Sequence, residues 1–358
     1  MPKEEVSKAI LLMNLGSPDS FQHKDVKKYL TQFLLDERVI DISQPFRSLL
    51  VQGIIVPFRT KNSAAKYETI WTKEGSPLVH TTALVTKAVE NLTNVPTEFC
   101  MRYGQPTAVD KLNELQSRFP QLDELIVFPL YPHYAMSSYE TAVEDVKAAY
   151  KTKNFSFTLN IVPVFYNHPA YINAMVDSFK PFVVKPFDHL LFSYHGIPER
   201  HVKKTDITKQ HCLQGDNCCT TDSAAHAFCY RHQVFETTEL IAKQLGLPKN
   251  KYSVSFQSRL GRDKWLLPNT ANVLAELPGK GIKNLVIACP AFVSDCLETL
   301  EEIVMEGRET FMEAGGESYT VVPCMNTNQT WIEAIAEIVK ETELNKTQVV
   351  SKKASLVG

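Results

Sequence analysis

The chain has 358 residues, enough for about two ordinary domains. Hydrophobic residues make up 44% and charged residues 22%, which excludes a disordered or fibrous chain. Lys and Arg total 38 against 40 Asp and Glu, so the basic excess of a nucleic-acid binder is missing and no nucleic-acid partner is expected.

The N-terminus, Met1–Ile10, carries Lys3, Glu4 and Glu5 and lacks the parts of a signal peptide. No stretch reaches the ~18 continuous apolar residues of a membrane span. A cytoplasmic chain is expected, with its eight Cys as thiols or metal ligands before disulfides. In chain order, short apolar runs predict strands at Ile10–Leu15, Glu98–Arg102, Leu125–Leu130, Thr158–Val164, His189–Tyr194, Tyr252–Gln257 and Asn284–Cys289. Helical patterns fall between them, among others at Thr141–Tyr150, Gln233–Leu245 and Leu297–Ala314. Alternation of this kind predicts an α/β fold with parallel sheets covered on both faces.

The chain also repeats itself. Ile10–Gly16 is similar to Leu190–Gly196, Arg102-Tyr-Gly104 to Arg259-Leu-Gly261, and Leu125–Pro129 with Glu140-Thr141 to Leu285–Pro290 with Glu298-Thr299. The offsets are 180, 157 and 158 residues in the same order. Two similar Rossmann-like, doubly wound halves are therefore expected, 8–150 and 151–340, with a polar frayed tail at 341–358. Gly16 to Arg102 is 86 residues and Gly196 to Arg259 is 63, so the first half carries about 23 more. They fall in a lip at about 30–75. Its apolar run, Ser48–Phe58, reads either as a buried helix or as an exposed edge around a pocket or against a membrane surface.

In open α/β sheets, ligands bind beyond the carboxyl ends of the strands. His195 ends one predicted strand and is exposed by the turn residues Gly196 and Pro198. A neutral imidazole there can accept a proton or ligate a metal. On an α-helix, Asp295, Glu298, Glu302 and Glu306 share one face, which reads as a solvated acidic face or as a path for a hard cation. Trp265, beside Arg259, Arg262 and Lys264, can wall a planar anionic ligand or pack in a core. Cys212, Cys218, Cys219 and Cys229 lie within 18 residues of a segment at about 205–232. Four thiolates suit an iron–sulfur centre or zinc, although the spacing is not the paired C-x2-C of zinc ribbons. Free thiols are the third reading, and His211, His226 and His232 stand near as substitute ligands. Cys100, Cys289 and Cys324 lie in or beside apolar strands and read as small hydrophobes.

From about Ala9 to Val339 the chain resembles the ferrochelatases, in their Gram-negative bacterial branch. The resemblance rests on the joint order of Leu11–Asp19, Glu74-Gly-Ser-Pro-Leu78, Met101-Arg-Tyr-Gly104, Pro129-Leu-Tyr-Pro-His-Tyr134, Ser193-Tyr-His-Gly-Ile-Pro198, Gln257–Arg262 with Trp265, and Asp295–Ile303. It implies insertion of Fe²⁺, a substrate, into protoporphyrin IX, with heme as product and release of two protons. It implies His195 and Glu298 as catalytic residues, with His195, Glu298 and Glu302 touching the iron. Arg59, Ser76, Arg102, Tyr134 and Trp265 match porphyrin-pocket positions. Many relatives carry His where this chain has Cys296, so no role of that second His is carried over. The resemblance also implies a [2Fe–2S] cluster on Cys212, Cys218, Cys219 and Cys229, a monomer, and peripheral membrane contact through the lip. The competing readings are a non-catalytic tetrapyrrole carrier, a related cobalt or nickel chelatase, and a cluster-based redox or iron sensor.

Overall fold

The computed structural model describes residues 6–354 apart from 260 and 262, and the side chains only as far as 343. Leu260 and Arg262 of the Gln257–Arg262 motif thus lie outside the described residues. The first half contains β1 (Lys8–Gly16), α1 (His23–Leu34), α2 (Phe46–Leu50), α3 (Val56–Ile70), α4 (Pro77–Thr93), β2 (Thr97–Tyr103), α5 (Ala108–Arg118), β3 (Glu124–Pro129), α6 (Thr141–Tyr150) and β4 (Thr158–Ile161). After α7 (Pro169–Val183) come β5 (His189–His195), α8 (Glu199–Thr205), α9 (Tyr230–Gln244), β6 (Tyr252–Gln257), α10 (Thr270–Glu276), β7 (Asn284–Ala288), α11 (Arg308–Glu313), β8 (Ser318–Val322) and α12 (Gln329–Ala354).

Two four-stranded sheets form, ordered β2-β1-β3-β4 and β6-β5-β7-β8, with every pairing parallel. The repeat read from short motifs is therefore a repeat of topology. β1 and β5 are central strands with both faces covered, and their runs Ala9–Met13 and Leu190–Tyr194 are fully buried. β4 pairs with β3 from Thr158 to Ile161, so the first sheet reaches past the expected boundary at 150. α12 packs on α7 and on α4 of the first half. Its Trp331 joins Phe128, Phe165 and Tyr171 in one hydrophobic cluster that also holds Leu190 and Phe192 of the second half. The expected frayed tail is helical as far as Ala354.

Among the described residues, three π-helical segments interrupt the pattern, at Val51–Ile55, Met136–Glu140 and Glu298–Gly307. An i→i+5 helix is seldom longer than one turn and concentrates at functional sites. The stretch Leu297–Ala314, expected as one α-helix, is thus π-helical from Glu298 to Gly307 and continues as α-helix in α11.

Candidate active site

The C-terminal ends of β1, β3 and β5 open into a cleft that holds about 1090 Å³ of empty space, part of it open to solvent. Its walls are mainly apolar and aromatic, including Tyr29, Phe33, Tyr67, Leu130, Tyr131, Tyr230 and Phe292. Such a cleft suits a flat, largely apolar ligand. Two glycines set the strand ends at the cleft, and Gly16 lines it. At Gly16 (φ +103°) a Cβ would lie 1.8 Å from the Tyr103 carbonyl oxygen, so only glycine allows β1 to turn against β2. At Gly196 a Cβ would meet the Gln257 and Ser258 carbonyls at 3.0 and 3.2 Å and the Trp265 ring at 3.2 Å.

His195 ends β5 and faces this cleft. Its Nδ1 lies 2.6 Å from the Gly196 carbonyl oxygen. A carbonyl only accepts, so the neutral ring carries its proton on Nδ1 and keeps a lone pair on Nε2. Tyr230 Oη donates to the His195 carbonyl (2.8 Å) and fixes the backbone from behind. Ring contact with Phe292, 6.4 Å between centroids, sets the imidazole plane.

Glu298 also lines the cleft and opens the longest π-helix. Among the described residues no cation pairs with it. Its carboxylate raises the pKa of Tyr29, Tyr67 and Cys296, whose main upward push is burial. The other acids of the expected row are occupied. Glu302 accepts from Ser258 N (2.7 Å) and Ser258 Oγ (2.6 Å). Glu306 pairs with Lys66 (2.7 Å). Asp295 accepts from Asn326 Nδ2 (2.6 Å) and Thr299 Oγ1 (2.9 Å). The row thus leaves one carboxylate, Glu298, facing the cleft without a cation.

Ser76 is buried and lines the cleft. Arg59, Arg102, Tyr134, Trp265 and Glu302 are not among its lining residues. Arg59 is exposed on α3. Arg102 is held on three sides, by Asp36 (2.5 Å), Asp145 (3.3 Å) and Thr141 Oγ1 (2.7 Å), which leaves its guanidinium turned into the protein rather than toward a propionate. Tyr134 Oη donates to Glu140. Trp265 packs over Gly196 and bridges to Pro198, behind the histidine loop.

The cleft also brings in residues that the sequence did not single out. Tyr29 and Tyr67 stand beside Glu298. His133 is buried, with Nε2 2.9 Å from Thr237 Oγ1. That hydroxyl donates to the Tyr166 carbonyl (2.7 Å), so His133 donates through Nε2 and its Nδ1 lone pair has no partner. Burial pushes its pKa down to about 3, so His133 stays neutral near pH 7. Its place in the Pro129–Tyr134 motif was the available signal.

The cysteine segment packs beside α9, with Cys212 and Cys229 in the main hydrophobic cluster. Cys212, Cys218, Cys219 and Cys229 are all buried. Their sulfurs form a string: Cys229 exchanges hydrogen bonds with Cys212 and Cys219, and Cys218 lies 4.0 Å from Cys219. The bond from Cys219 is the chief cause that brings the Cys229 thiol down to about 6. Arg231 approaches the Cys218 and Cys219 sulfurs at 3.7 and 3.2 Å. His211 and His226 bond the Cys218 carbonyl (2.6 and 2.9 Å) and His232 the Cys219 carbonyl (2.7 Å), so the three imidazoles brace this backbone. Among the described residues, no three His, Cys, Asp or Glu side chains surround one point as a single metal ion would require.

A family model described as Ferrochelatase matches residues 7–343. The chain is 47% identical over 337 residues to a ferrochelatase of Opitutus terrae, covering 93% of this chain and 97% of the relative. It is 45% identical to that of Stutzerimonas stutzeri, over 92% and 96% of the two chains. Identity to that of Porphyromonas gingivalis is 43%, over 93% and 95%. Among solved structures, SirB from Bacillus subtilis with Fe³⁺ is similar in fold, with a TM-score of 0.54 at 12% identity, covering 96% of this chain and 98% of that one.

Proposed function

The chain belongs to the ferrochelatase family, enzymes that insert ferrous iron into protoporphyrin IX to give heme, and we propose that it does so with His195 and Glu298 on opposite faces of the macrocycle. Two protons leave the pyrrole nitrogens as Fe²⁺ enters. Nε2 of His195 is the acceptor, since the Gly196 carbonyl keeps the other ring nitrogen protonated. Glu298, without a paired cation, replaces water around the metal and holds it at the ring. Of the two, Glu298 delivers and His195 deprotonates. The observation that carries this reading is one imidazole lone pair and one carboxylate without a paired cation among the described residues, lining a single aromatic cleft. A carrier would need the cleft and neither group, and a sensor would need neither.

Ser76 belongs to the porphyrin site directly, as a lining residue. Trp265 acts through Gly196, and Glu302 through Ser258. Arg102 and Tyr134 support the wall from behind, and Arg59 meets a propionate from the outer edge of the lip.

The four cysteines hold a [2Fe–2S] cluster in this reading. Buried sulfurs strung in sequence suit two irons with two thiolates each better than one tetrahedral zinc. When bound, the cluster would supply a covalent brace and a one-electron centre, with Cys229 next to Tyr230, whose hydroxyl bonds the His195 carbonyl.

The lip supports peripheral membrane contact from the cytoplasmic side. Phe46, Leu49, Ile54 and Phe58 are 66%, 72%, 53% and 79% exposed on its outer face, while Val51 and Val56 face its core. Both readings of Ser48–Phe58 therefore apply, one to each face of the helix. No helix among the described residues is long and apolar enough to cross a membrane.

The test is an anaerobic visible spectrum of the purified protein before and after adding protoporphyrin IX and Fe²⁺. Conversion of free-base bands to heme bands, absent in His195→Ala, is the expected result. Porphyrin binding without conversion would establish a carrier instead.

A further inference from the structure

We propose that Lys66 is a positioning residue for Glu298, holding the ten-residue π-helix across the cleft. The inference rests on the reading of Glu298 as the iron-holding carboxylate. A π-helix of this length needs outside support, because the wide backbone is rarely stable beyond one turn. Two ties come from its own half. Ser258 donates its N–H and hydroxyl to both oxygens of Glu302, at 2.7 and 2.6 Å. Tyr319 Oη donates to the Ile303 carbonyl at 2.7 Å, and Gly307 leaves it room, since a Cβ there would lie 2.5 Å from that oxygen.

The third tie crosses from the lip. Lys66 Nζ on α3 meets Glu301 Oε2 at 2.8 Å and Glu306 Oε1 at 2.7 Å. One ammonium thus bridges two carboxylates more than a turn apart in the π-helix. Glu301 has a side chain only 10% exposed, so without Lys66 it would be a buried charge lacking its counter-ion. The next residue, Tyr67, lines the cleft beside Glu298. Leu297 and Leu300, flanking Glu298, pack against the hydrophobic cluster of the lip. The lip therefore grips the segment at both ends, and a ligand seated against the lip bears on the carboxylate through α3. Lys66 touches neither iron nor porphyrin in this scheme; it acts through the helix.

The experiment compares Lys66→Met, Lys66→Arg and Lys66→Met/Glu301→Gln, with Glu298→Gln as reference. It reads kcat/KM for Fe²⁺ and for protoporphyrin IX separately, together with Tm. Lys66→Met should lower kcat/KM for Fe²⁺ about 10–100-fold, the range for loss of a partner that orients a metal ligand, with porphyrin binding retained. Lys66→Arg should recover most of the loss. The double variant removes the unpaired buried charge, so it should regain Tm yet stay slow with iron. Full recovery of both in the double variant would make Lys66 a stabilising residue only and overturn the proposal. So would wild-type iron kinetics in Lys66→Met beside a dead Glu298→Gln. A fully active Glu298→Gln would overturn the reading of Glu298 itself, and the proposal with it.

Discussion

Glu140 and Glu298 stand 158 residues apart at matching places in the two halves. Each follows the strand beside its central strand, each is succeeded by threonine, and each sits at the end of a π-helical segment. Their surroundings differ. Glu140 takes an ion pair from Arg38 at 3.1 Å and a hydrogen bond from Tyr134. Glu298 faces the cleft with Tyr29, Tyr67 and Cys296 around it and no cation. The arginines of the repeat show the same contrast. Arg102 is locked among Asp36, Asp145 and Thr141, while Arg259 is exposed and donates to the Asp263 carbonyl. The first half satisfies its polar groups internally and serves as wall; the second leaves His195 and Glu298 open to a ligand. One topology therefore yields two roles, and the pairing of a few side chains decides which.

The largest expected effect lies at the strand end that breaks the symmetry. Leu15 matches His195 in the repeat, and a leucine accepts no proton. His195→Ala should lower kcat by about 10²–10⁴-fold, the usual worth of a positioned general base, while porphyrin titration stays intact. Steady-state kinetics with porphyrin absorbance would check both.

A stability effect should dominate in the wall half. Asp36 is buried, which would raise its pKa, but the Thr141 hydroxyl, the Arg38 N–H, Arg102 and Tyr103 together hold it below the usual range. A depressed carboxyl stabilises the fold above its unfolded pKa, about 3.9, and that contribution is lost as pH falls through the lower folded value. Asp36→Asn should cost about 3–5 kcal/mol, as breaking a buried ion pair does, and should flatten the acid limb of the stability curve. Urea unfolding from pH 7 to pH 3 measures it. An unchanged acid limb would contradict the assignment.

In the second half, if the four cysteines hold the proposed cluster, Cys219→Ser should abolish its visible absorption and lower Tm. A brown, fully stable variant would refute the cluster. The smallest effect concerns the lip. Leu49→Ser/Phe58→Ser should reduce sedimentation with lipid vesicles while Tm stays put, since both side chains are mostly exposed. Equal sedimentation would place the membrane contact elsewhere.

The sequence made the sheets legible because their central strands are continuous apolar runs between turn residues. Seven strands were read within a few residues; β8 (Ser318–Val322) escaped, being a short edge strand with a half-exposed face. Thr141–Tyr150 coincides with α6, where the period is clean. The π-helix at Glu298–Gly307 was not legible, because its apolar spacing also fits an α-helix and its supports, Ser258, Tyr319 and Lys66, are distant in the chain. Spacing alone puts the four acids on one face, and only the family resemblance sets Glu298 and Glu302 apart. His195 was legible from its turn residues. Tyr29 and Tyr67 were not, because aromatic residues on amphipathic helices look like core.

The most direct test sets Glu298→Gln against Glu140→Gln in one anaerobic assay of iron insertion. Both replace a carboxylate by its neutral amide at matching points of the repeat. Glu298→Gln should lose at least ~100-fold in kcat/KM for Fe²⁺, equivalent to about 2.7 kcal/mol of transition-state stabilisation, with Tm held. Glu140→Gln should keep its kcat and lose Tm, because its carboxylate holds Arg38 and Tyr134. Equal kinetics in the two variants, or a larger loss in Glu140→Gln, would contradict the division of the halves into wall and working face.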